Sequence, residues 1–111
     1  MKQLLKPTFT GDNASMPFSE LLTSLELSEA TGLVRATATD GTSYEIRIAQ
    51  GQARRVTGRE GASPTGTLAD LLREESLDWS YRATAGEPNG EYRMPLSQLM
   101  MGAAFAMESA A

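Results

Sequence analysis

The sequence predicts an α+β fold, an antiparallel β-meander of about four to five strands packed with two to three helices. Three observations carry that expectation. Residues 33–57 alternate apolar and polar side chains, with glycine turns between the runs. Leucines at helical spacing mark stretches on either side of that segment, and the chain closes on a long apolar run at 95–108. A length of 111 residues suits a single domain over 1–111, with a core at about 8–84 and the apolar helix after it.

The elements follow in order. Pro7, Thr8, Phe9 and Thr10 read as a short strand closed by the turn formers Gly11, Asp12 and Asn13. Ser15 is a candidate N-cap for a helix over 17–27, whose Phe18, Leu21, Leu22 and Leu25 share one face. Thr31-Gly32 breaks that pattern. Strand 33–39 turns Val34, Ala36 and Ala38 to one side and Arg35, Thr37 and Thr39 to the other. Asp40-Gly41 predicts a type I′ hairpin turn, because glycine takes positive φ without steric cost.

Strand 43–49 is the cleanest, with Tyr44, Ile46 and Ile48 inside and Glu45 and Arg47 outside. Gln50-Gly51 turns again into strand 52–57, where Ala53 and Val56 fall out of phase and predict a bulge. Residues 58–66 read as a loop. Thr67 then caps a helix bearing Leu68, Leu71 and Leu72, with Asp70 as a short capping-box acid. Residues 77–83 are a further meander-type strand with Leu77, Trp79 and Tyr81 inward, followed by a loop at 86–90 and the last helix.

Composition excludes much chemistry. Without cysteine there are no disulfides, thiolate nucleophiles or thiolate metal sites, and without histidine the commonest general base and metal ligand is missing. A net charge of −4 opposes nucleic-acid binding, which requires a basic surface. Lys6 and Pro7 interrupt the apolar region that a signal peptide needs, and no apolar run approaches the length of a membrane span. A cytoplasmic protein that is not an enzyme, uses no cofactor and touches neither membrane nor nucleic acid is the expectation.

Four groupings bear on function. Arg47, Arg54, Arg55 and Arg59 gather on adjacent strands and the next loop, as an anion or acidic-partner patch or as a solvated face balanced by Glu45 and Glu60. Glu74, Glu75 and Asp78 lack the glycine turn and fixed oxygen positions of a calcium loop and read as an ordinary charged helix end. Gly58, Gly61 and Gly66 lack the lysine of a phosphate-binding loop. Leu99, Met100, Met101, Phe105 and Met107 point in every direction around the last helix, which predicts an interface, as in a homodimer, in addition to burial.

The order of motifs resembles the PATAN domain family of bacterial signalling proteins. The residues that carry the resemblance begin with Gly11-Asp12, the leucine helix from Phe18 to Leu25, and Thr31-Gly32-Leu33-Val34. Ile46, Ile48 and Gly51 follow, then Thr67-Leu68 with Leu71-Leu72, and Trp79 with Tyr81. Ala53-Arg54 departs from the bulky apolar pair usual in the family. The resemblance implies a noncatalytic adaptor whose partner is another signalling protein, and it supplies no catalytic residue. The alternative is a sensor of a small anionic ligand, with a pocket between sheet and last helix and Arg47 or Arg54 as its cation.

Overall fold

The structure, a computed structural model, describes residues 8–12, 14–58, 63–74 and 76–109. The chain runs β1 (Thr8–Asp12), α1 (Phe18–Leu27), β2 (Gly32–Ala38), β3 (Ser43–Ala49), β4 (Gln52–Thr57), α2 (Pro64–Arg73), β5 (Leu77–Ala83), β6 (Met94–Pro95) and α3 (Leu96–Ser109). All strand pairs are antiparallel, in one sheet of order β1-β5-β2-β3-β4-β6. The α+β expectation holds. The meander itself is β2-β3-β4; β5 does not extend it. The chain crosses by way of α2 and brings β5 back beside β2, where Val34 faces Tyr81 and Ala36 faces Trp79.

The type I′ geometry expected at Asp40-Gly41 occurs instead at the next hairpin turn. Ala38 N–H donates to Thr42 O and Gly41 N–H to Ala38 O, so the β2–β3 link is a three-residue loop. Its positive φ falls on Gly41 alone, which is a type I turn followed by a left-handed residue. The type I′ turn occurs between β3 and β4, where Gln50 and Gly51 both have positive φ (54° and 80°). That turn is docked as well as tight. Gly51 N–H donates to Ala30 O and Gln50 N–H to Thr31 Oγ1, both at 2.9 Å, against the end of α1.

Helix ends differ from the sequence expectation in instructive ways. Pro17 occupies the cap position of α1 without a side-chain bond. Ser15 instead folds back on Asp12, its N–H donating to the carboxylate at 2.9 Å, and Gly11 and Asp12 continue β1. Helix α2 starts three residues before Thr67: Ser63 Oγ accepts from Gly66 N–H at 3.0 Å and Pro64 fills the first turn. Thr67 is therefore interior and buried, and Asp70 pairs with Arg73 at 3.6 Å. At the C-terminus of α1, Ala30 N–H reaches Leu25 O and Glu29 N–H reaches Glu26 O, with Glu29 at φ 53°. This is a Schellman closure with glutamate where glycine is usual.

The three helices of the described residues cover one face of the sheet. Phe18, Leu21, Leu22 and Leu25 of α1, Leu68 and Leu71 of α2, and Leu96, Leu99 and Ala103 of α3 join the inward strand residues in one core. Helix α3 runs chiefly along α2, with α1 alongside. Its start is held by Glu26, whose carboxylate accepts from both Ser97 N–H and Ser97 Oγ–H. Among the described residues the other face of the sheet carries no helix.

Candidate interaction surfaces

Helix α3 separates the residues that the sequence groups as an interface. Leu99 is fully buried (0% exposed) in the chain's own core, so it is a packing residue and cannot meet a partner. Met100 and Met107 are half-buried against that core. Met101 and Phe105 remain, 64% and 69% exposed and one helical turn apart. With Leu27 they are the exposed large apolar side chains among the described residues. Apolar composition all round the helix was the readable signal; which side docks depends on where α2 lies.

The arginines divide too. Arg47 and Arg55 are direct cross-strand partners on the open face. Arg54 is the extra residue of a bulge, where the register shifts between Arg47 and Ile48. The bulge turns Arg54 toward the 89–92 segment: its carbonyl accepts from Glu91 N–H at 2.9 Å and its Nη1 donates to Tyr92 O at 3.0 Å. Arg59 lies outside the described residues. Two arginines absent from the sequence grouping join the open face, Arg35 on β2 and Arg82 on β5. Both were legible as outward positions of alternating strands, but their adjacency depends on β5 pairing with β2.

Register places these side chains in rows across the strands. Arg82, Leu33, Arg47 and Arg55 face one another in succession across β5, β2, β3 and β4. The next row is Ser80, Arg35, Glu45 and Thr57. Glu45 bridges two arginines, at 3.3 Å to Arg35 Nε and 3.1 Å to Arg47 Nε. A third row brings Asp78 beside Thr37, with Asp12 opposite Asp78 on β1. The face thus runs from basic to acidic along the strands. A hollow of about 210 Å³ lies over it, lined by Leu33, Arg35, Ser80 and Arg82.

A strap closes one edge of the sheet. Tyr92 Oη accepts from Val56 N–H at 2.9 Å, and β6 pairs with Gln52 and Ala53, so outward groups of β4 are engaged. Gly90 is needed there, since a Cβ on it would stand 2.4 Å from Arg54 O. Burial pushes the Tyr92 hydroxyl above the usual tyrosine value, as it does for Tyr81, whose hydroxyl donates to Thr31 O. The Asp12 carboxyl is held below the usual carboxylate range by the hydrogen bonds from Ser15.

Among the described residues no three acidic side chains converge as a metal site, and Glu75 of the acidic helix end lies outside them. No helix among them is long and apolar enough to cross a membrane. Leu96, Leu99 and Ala103 lie buried on the inner side of α3, where the ligand-sensor alternative expects its pocket. No family model matches the chain, and no solved structure matches it significantly.

Proposed function

We propose that this chain is a noncatalytic protein–protein interaction module, an adaptor of the PATAN-like kind in bacterial signalling, which self-associates through α3. The observation that carries the reading is the Met101–Phe105 pair, large and exposed on a helix whose opposite side is fully committed to the core. Residues 96–107 carry no charge, so two copies of this helix can meet without like-charge repulsion.

Any such dimer is weak and reversible. Burying the exposed two-thirds of these two side chains on each protomer contributes about 4–8 kcal/mol gross, against an association cost of about 4–15 kcal/mol. Light scattering coupled to size exclusion, over a concentration series, tests this. Dimer that forms with concentration and is abolished by Met101→Glu or Phe105→Glu supports the reading. A chain that stays monomeric throughout, or assembly unchanged in both variants, refutes it.

A further inference from the structure

We propose that the open face of the sheet binds an acidic segment of a partner protein, with one carboxylate seated between Arg35 and Arg82 beside Leu33. This extends the adaptor reading by giving the module a second surface, distinct from α3.

Charge and register carry the inference. The chain has net charge −4, yet this face aligns Arg82, Arg47 and Arg55 in one row with Arg35 in the next. Adjacent strands stand about 4.8 Å apart, so the Arg82–Arg55 row spans about 14 Å, the width of a short peptide segment rather than of a single small anion. Among the described residues no carboxylate pairs with Arg82. Arg35 meets Glu45 through Nε only, which leaves further N–H donors on its guanidinium for a planar acceptor.

The remaining partners in the hollow suit the same ligand. Ser80 offers a hydroxyl, and half-buried Leu33 offers an apolar contact between Arg82 and Arg47. The complementary segment therefore has carboxylates flanking an apolar side chain. Asp78 and Asp12, at the far end of the strands, repel that segment and restrict it to the basic end.

Fluorescence anisotropy with a labelled, acetylated Glu-Glu-Leu-Glu-Glu-Leu-Glu-Glu peptide and the full chain is the test. Saturable binding is expected, weakened by salt and absent for the matched glutamine peptide. Arg82→Glu and Arg35→Glu should each weaken it by about tenfold or more, and Arg82→Gln covers the case in which charge reversal unfolds the chain. Arg73→Glu makes the same change in net charge on α2 and should leave binding intact.

Absence of saturable binding, an equal loss in Arg73→Glu, or equal binding of duplex DNA would overturn the proposal. So would loss of self-association in Arg82→Glu, which would assign the face to a second copy. Met101→Glu, assayed in parallel, should lose dimer and keep the peptide. Failure of the α3 reading is thereby separated from failure of this one.

Discussion

The two faces of the sheet divide the work of this small domain. On the covered face Val34, Ile46, Ile48, Trp79 and Tyr81 meet three helices and are almost wholly withdrawn from water. On the open face the residues between them, Leu33, Arg35, Glu45, Arg47 and Arg82, are half-buried or exposed. Neighbouring positions along the same strand thus differ in what they contribute. Stability depends on the first set, where volume and shape count; recognition is available to the second, where charge and register count. Surface ion pairs such as Arg35–Glu45 contribute little to folding, so the open face is free to carry a charge pattern.

Substitutions on the two sides sharpen the contrast, and the largest effect is expected in the core. Leu99→Ala should lower unfolding free energy by about 2–5 kcal/mol in denaturant titration, since it leaves a cavity beneath α3. A loss below about 1 kcal/mol would instead return Leu99 to the surface. This variant also separates the core side of α3 from its proposed interface side.

An intermediate effect is expected at the edge that joins the faces. Tyr92→Phe strands the Val56 N–H and should cost about 1–3 kcal/mol. It also has a pH signature. The Tyr92 pKa is raised in the folded chain, so its contribution is complete below the ordinary tyrosine value and is lost as pH rises through the folded value. The wild-type chain should therefore lose stability in alkali, and Tyr92→Phe should lose less over that interval. Equal alkaline losses in melting curves would contradict the assignment. Smallest of all, Arg82→Ala on the open face should change stability by no more than about 0.5 kcal/mol. A larger loss would mean that the row braces the fold.

Much of this division was legible in the sequence. The alternation in Tyr44, Ile46 and Ile48 specifies which side of β3 is buried, and the phase slip at Ala53 and Val56 marks the bulge. Periodicity is a local property and was legible; turn and cap chemistry, equally local, was not, at Asp40-Gly41, Ser15 and Thr67. The placement of β5 beside β2 was not, because alternation states that a strand has two faces and not which strand lies next to it. The arginine grouping is incomplete for the same reason: Arg47 and Arg55 are neighbours as grouped, but Arg82 comes beside Leu33 only through the pairing of β5 with β2. Ser63-Pro64 was a readable helix start masked by the glycines around it. The docked side of α3 was not readable at all, since nearly every side of that helix is apolar.

The strap across β4 has a consequence in time. Val56 and Tyr92 are 36 residues apart, so the edge of β4 becomes complete well before the group that covers it has been made. At a synthesis rate of about 5–20 residues per second, the nascent meander spends about 2–7 s with that edge uncovered. The charged residues that line it, Arg54 and Arg55, guard the interval: an edge strand bearing two adjacent cations is a poor template for another chain. The feature that finishes the fold thus arrives late, and the strand it protects carries its own interim defence.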